Sequence, residues 1–433
     1  MTTSHHTALP SAALALALAA GLGAGCSRPS TTSAGTGPQE TVHIVNLDRP
    51  AVSPLAVSTG GWVPGEGGPV SSRFVAPAGP APAASDVQSR IMELASSGRH
   101  GSSAALSGNV TQVSFAPEGA DFDPCLSPDG RTVAFASTQH RDTSDLYTKS
   151  VDGRVVTQIT SDPSNDLMPR FSPDGSRLAF ASDRAGNWDI YVMPAAGGKP
   201  IQVTSGPAHE LHPSWSPDGS ELVFCRLGET SGQWEMWVTG VSNPGIARYI
   251  GNGLFPEWCP VPGTGAAGAD RIAFQRSRER GDRAFGIWVL DYARGEAGNA
   301  TELASTPVAA CINPAWSPDG QWLAYATVPN PSEWYPGARP SWAELWMVDA
   351  AGNNRIALTG GQFVNLMPTW GPGNRLFFVS DRGGVENIWA MDTTKVIALA
   401  AANTRSAVAG VAPPPKKDPA VVNVPEQGGQ PPH

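Results

Sequence analysis

Residues 169–180 read PRFSPDGSRLAF, and the same phrase returns as PSWSPDGSELVF at 213–224 and PAWSPDGQWLAY at 314–325. Each copy is a short apolar run, a Ser-Pro-Asp-Gly turn and a second apolar run. Proline presets φ early in such a turn and glycine supplies the permissive position, so the phrase predicts two tightly joined antiparallel strands. Beyond 180, Ile190 to Met193 predicts a third strand and, after Gly197-Gly198, Ile201 to Thr204 a fourth.

The unit occurs six times, anchored on Pro124, Pro169, Pro213, Pro256, Pro314 and Pro368. The first three spacings are 45, 44 and 43 residues, the period of a four-stranded propeller blade; the last two lengthen to 58 and 54 through insertions. Third strands recur as DLYTKS, DIYVM, EMWVTG, GIWVLD, ELWMVD and NIWAMD. The sixth unit lacks a fourth strand after Asp392, while an orphan copy, VTQVS, stands at 110–114 ahead of the first unit. The pairing predicts an all-β, six-bladed propeller closed by Val110 to Ser114, which leaves the ring without a seam.

The motif P-x-[FW]-S-P-D-G-x-x-[IL]-[AV]-F, followed by S-D-R and D-I-Y-V-M, resembles the TolB-type WD-like β-propeller over about residues 115–392. The resemblance implies a six-bladed propeller. It also implies a Tol–Pal-like place in the bacterial envelope, where the central opening of such a propeller docks a peptidoglycan-associated lipoprotein. TolB proteins carry a compact α/β domain before the propeller; here that stretch is linker-like in composition.

The remaining chain divides by composition. Residues 1–25 predict a signal peptide, since Ser11 to Gly25 is an apolar run too short to span a bilayer. LGAGCS places Cys26 where a bacterial lipoprotein signal has its lipidated cysteine, although Gly23 replaces the usual leucine and the n-region has no Lys or Arg. The expected location is therefore periplasmic, or at the outer membrane through a lipid anchor. Residues 26–108, rich in Ser, Pro, Gly and Ala, predict a tether. Within it TVHIVNL (41–47) reads as a strand, and Ser85 with Gln88 as a capping box before a Val87, Ile91, Leu94 stripe. Residues 109–393 hold the propeller and 394–433 a Pro-rich tail.

A net charge of −9 argues against nucleic acid as a partner. No G-x-S-x-G elbow occurs, which excludes an appended hydrolase of that type. The four cysteines after Cys26 show no C-x-x-C spacing; Cys225 and Cys259 fall where other repeats have Ala or Ser and so predict small buried thiols. No cofactor motif is present.

Strand parity puts the inter-blade connections and the second-to-third loops at one end of the ring. The polar residues before the anchor prolines, namely Asp121, Asp123, Asn165, Asp166, Glu210, His212, Asn313 and Asn365, are therefore expected at the channel mouth. Carboxylates there would focus a field that attracts a basic segment or a cation. The competing role is to cap strand ends and pair with Arg184 or Arg382. His209 and His212 are a weak metal pair, because they stand three apart in a loop rather than four apart on a helix. Two insertions share that end: one bearing Arg276, Arg278, Arg280 and Arg283, the other Trp334, Tyr335 and Trp342. Two functions follow, a non-enzymatic protein-binding scaffold of the envelope, or a carbohydrate-active or metal-dependent propeller enzyme similar to oligogalacturonate lyases.

Overall fold

The Ser-Pro-Asp-Gly turns close as their chemistry requires. Ser172 Oγ donates to Asp174 Oδ1 at 2.5 Å and accepts the Arg177 N–H at 3.0 Å, while the Gly175 N–H reaches the Ser172 carbonyl at 2.8 Å. The same closure recurs at 127–132, 216–221 and 317–322. Gly130 is needed twice over. Its φ is +68°, and a Cβ there would lie 2.1 Å from Cγ of Pro372 in the adjoining blade.

The computed structural model describes residues 110–277, 285–329 and 340–409. Its strands form six four-stranded antiparallel sheets, five of them built from consecutive strands. The first strands of the blades are Asp121–Leu126, Asp166–Phe171, Glu210–Trp215, Leu254–Trp258, Ala309–Trp316 and Asn365–Trp370. Neighbouring first strands touch around a closed ring, so they are the innermost layer.

Blade six is completed from the other end of the domain, as the orphan repeat predicts. Thr111–Gln112 pairs antiparallel with Asn387–Asp392, and Val113 and Ser114 donate backbone bonds to the Ile388 carbonyl at 2.8 and 3.1 Å. Ser114 Oγ accepts the Ile388 N–H at 2.9 Å. Thr160, Thr204 and Thr359 do the same for Leu146, Ile190 and Leu345 in blades one, two and five. The orphan copy thus supplies the hydroxyl of a repeat as well as its ladder.

Blades hold to one another by core packing and by polar ties. The repeated core position on the second strands includes Phe135, Phe180, Phe224, Phe274 and Phe378, all essentially inaccessible. Trp215, Trp316 and Trp370 each send an indole N–H to a carbonyl of the preceding blade, at 2.9 to 3.1 Å. Cys125, Cys225, Cys259 and Cys311 are buried thiols rather than disulfides.

The sequence expectation of a Pro-rich tail from 394 needs correcting. Thr394–Ala409 is an α-helix with Val396 and Ala400 buried. Its composition is rich in Ala, a strong helix former, and Asp392 Oδ1 accepts the Thr394 N–H at 2.8 Å ahead of it. The prolines begin only at 413. Among the described residues no helix is long and apolar enough to cross a membrane. The leader with Cys26, the 41–47 strand and the 85–94 stripe lie outside the described residues.

Candidate functional site

Immediately before each anchor proline sits one residue per blade: Asp123, Met168, His212, Phe255, Asn313 and Met367. All six have φ between +50° and +57°, and at each the ladder to the second strand shifts register. A bulge of this kind bends a strand and re-aims a side chain. For non-glycine residues a left-handed backbone costs roughly 1–2 kcal/mol each. The six side chains converge on a common axial cavity, which Arg170 and Glu257 also line. Around the ring they alternate polar and apolar, with Asp123, His212 and Asn313 from blades one, three and five.

This waist is narrow. The cavity is about 20 Å3, room for a water-sized group. Its polar groups are poorly satisfied. Both ring nitrogens of His212 and Oδ1 of Asn313 have no hydrogen-bond partner among the described residues, although these residues are only 4% and 6% exposed. Asp123 Oδ2 accepts the Met168 N–H at 3.2 Å. Arg170 Nε lies 3.7 Å from Glu257 Oε2; both side chains sit deep in the ring yet keep about a quarter of their surface because they border the lumen.

Burial governs the protonation of this set. It pushes the Asp123 carboxyl up to about 6, against the Arg170 charge and the Met168 N–H. It also raises Glu257, opposed by Arg170. His212 is held well below its ordinary value by burial and then by Arg170, so the imidazole is neutral. Burial works against the Arg170 charge, but Glu257, Cys125 and Asp123 together keep it raised.

Two residues earlier in the same strands the environment reverses. Asp121, Asp166, Glu210 and Asn365 are at most 1% exposed. Arg184 binds Asp166 at 2.8 and 3.0 Å, Arg226 Nε binds Glu210 at 2.9 Å, and Arg382 donates to Asn365 Oδ1 at 2.8 Å. Their arginines stack over the aromatic rows of the blades, Arg184 at 4.9 Å from Tyr191 and Arg226 at 4.5 Å from Trp237. Asn165 caps the strand start through two bonds to Asp183. Asp121 is raised by burial and held by Ser137 and Ser114. Glu210 also faces Asp189 of blade two, whose carboxyl burial and then Glu210 push to about 7.

The eight residues expected at the mouth therefore separate. Asp123, His212 and Asn313 reach the axis; Asp121, Asp166, Glu210 and Asn365 lie in the seams between blades; Asn165 lies in a loop. Met168, Phe255 and Met367, which also line the cavity, carry no polar mark in the sequence, and Arg170 and Glu257 stand just after their anchor prolines rather than before them. The signal was the column before the prolines, which reads D, M, H, F, N, M around the ring.

His209 and His212 do not act as a pair. His209 Nδ1 accepts from the Trp188 N–H at 3.4 Å, while His212 packs on Phe255 with centroids 3.6 Å apart. Among the described residues no three His, Cys, Asp or Glu side chains are placed to hold a metal. Trp342 is buried against blade five; Trp334, Tyr335, Arg278, Arg280 and Arg283 lie outside the described residues.

Residues 86–248 match the family model of the TolB beta propeller domain. The repeats in that stretch are similar to those of TolB propellers. No curated protein matches the sequence. Among solved structures, a protein described as TolB from Agrobacterium tumefaciens is 20% identical with a TM-score of 0.49, over 65% of this chain and 96% of that one. TolB from Acinetobacter baumannii is 18% identical at 0.41, over 72% and 70%. An oligogalacturonate lyase from Vibrio parahaemolyticus is 13% identical at 0.44, over 66% and 93%. None of these likenesses transfers a substrate or a partner to this chain.

Proposed function

We propose that this TolB-type propeller is a non-enzymatic scaffold, exported to the bacterial envelope, whose loop-rich channel mouth captures a protein partner in a Tol–Pal-like manner. A peptidoglycan-associated lipoprotein is the expected class of partner, and lipidation at Cys26 would hold the scaffold at the membrane. The observation that carries the reading is the small axial cavity of about 20 Å3 lined by one residue from the inner strand of every blade, a site that can receive the tip of a side chain from a partner seated on the mouth.

The structure changes which residues test the idea. Asp121, Asp166 and Glu210 are buried in seams, so their loss would report on folding. Glu118, Asp142 and Glu229 are exposed on the loops at the mouth. Full-length tagged protein carrying Glu118→Lys, Asp142→Lys and Glu229→Lys should lose most partner capture from detergent-solubilised envelope while unfolding at the wild-type midpoint. Capture at the wild-type level would refute a mouth-based scaffold.

A second reading keeps the unpartnered His212 as the base of a carbohydrate-active enzyme resembling oligogalacturonate lyases. Turnover of oligogalacturonate with added manganese, abolished by His212→Asn, would favour it; inactivity with and without the metal would leave the scaffold.

A further inference from the structure

The scaffold reading places a partner over the bore, and the waist indicates what it reads there. We propose that Asp123, His212 and Asn313 form a receptor for a primary ammonium group, the side-chain tip of a lysine projecting from the bound partner. The proposal rests on the scaffold reading and deepens it.

Symmetry is the first argument. An ammonium carries three N–H donors and no acceptor. Three polar side chains project from blades one, three and five, equivalent positions one third of a turn apart around the bore. An ammonium on the axis meets one of them with each N–H. The intervening Met168, Phe255 and Met367 offer apolar walls to a methylene stem.

Size is the second. The space of about 20 Å3 fits a group the size of water. A guanidinium, with five donors in a fixed planar fork, does not match three side chains set around an axis.

Charge and satisfaction complete the case. The lumen holds two carboxyls, Asp123 and Glu257, against one guanidinium, Arg170, and Glu257 stands 3.7 Å from that guanidinium. With both carboxyls ionised, the surplus is one negative charge, on Asp123. An anion would meet that charge. An ammonium neutralises it and satisfies Asn313 Oδ1 and an imidazole nitrogen, which have no hydrogen-bond partner among the described residues. Leaving such atoms bare costs about 1–3 kcal/mol each.

The test is a titration of full-length protein labelled at its methionine methyl groups. Met168 and Met367 are assigned among the eight methionines by Met168→Leu and Met367→Leu. At mildly alkaline pH, n-butylammonium should shift these two resonances saturably, whereas n-butanol and guanidinium should not. Asp123→Asn should weaken the response about tenfold or more, since a charge-assisted hydrogen bond is at stake. Asn313→Asp retains a residue type that tolerates positive φ and adds a charge, so it should tighten binding by a similar factor. It keeps the test alive should Asp123→Asn fail to fold. No saturable shift overturns the proposal, as does an equal response to n-butanol. A response to calcium or manganese without one to n-butylammonium also overturns it. The titration needs no partner, so the waist can fail it while partner capture stands, and capture can fail while the waist binds the amine.

Discussion

Asp121, Asp166 and Glu210 stand two residues from Asp123, Met168 and His212 on the same strands, and the two tiers differ in what surrounds them. The outer tier is buried in the blade seams, where Asp166 and Glu210 meet an arginine within 3 Å. The inner tier is turned by a bulge into a lumen where the His212 ring nitrogens and Asn313 Oδ1 have no hydrogen-bond partner among the described residues. A buried charge is tolerated only when paired and hydrogen-bonded. In the first tier Asp166 and Glu210 follow that rule through Arg184 and Arg226, although Asp121 Oδ1 and Glu210 Oε2 have no hydrogen-bond partner among the described residues; in the second, the His212 ring nitrogens and Asn313 Oδ1 are bare at the lumen, with no arginine bonded to them.

The largest effect should come from breaking an outer pair. Arg184→Met leaves Asp166 buried with only hydroxyl partners, and the unfolding free energy should drop by about 3 kcal/mol or more. A loss within experimental error would erase the distinction between the tiers.

Next is a dependence on pH at the seam between blades two and three. Asp189 stands at about 7 in the folded protein, against roughly 3.9 for an unfolded aspartate. The folded state therefore keeps a proton that the unfolded chain has released, and stability falls as pH rises through that window. Denaturant midpoints measured across the range should show the fall, and Asp189→Asn should flatten it. An unaltered slope would mean that Asp189 does not hold that proton in the folded state.

A smaller loss is expected at the closure. Ser114→Ala removes the hydroxyl that accepts the Ile388 N–H, and about 1–2 kcal/mol should go with it. The smallest effect belongs to the inner tier. His212→Met copies the residue already held at positive φ in blades two and six, so stability should stay within about 1 kcal/mol. A large loss there would show that His212 has a structural partner and would sharpen the comparison against the ligand reading.

The repeat made most of the fold legible, because turn chemistry and strand period are local properties. Pro173 and Gly175 announce their hairpin, and the match of VTQVS to other fourth strands announces the closure. The helix after Asp392 was hidden by the prolines downstream of it. The site was only half legible. The polar residues ahead of the anchor prolines are readable in the sequence, but spacing in a regular strand would turn positions 121 and 123 to the same side. The bulge at 123 breaks that parity, and a bulge depends on the second strand's register as much as on local sequence. The arginines of the outer tier were readable at 184 and 382, where S-D-R repeats. Arg226 enters from within its strand and carries no such mark.

The closing strand has a consequence for the order of folding. Thr111 and Ala390 are 279 residues apart, and the third strand of blade six must wait for a partner made long before it. Bringing such distant ends together costs about 5 kcal/mol of chain entropy beyond the constant for a short loop. A chain that emerges amino end first therefore carries Val110 to Ser114 as a loose thread past five finished blades. The exposed edge of Asn387–Asp392 is the last adhesive surface to be covered, and the moment before it is covered is when two copies of this protein could exchange threads.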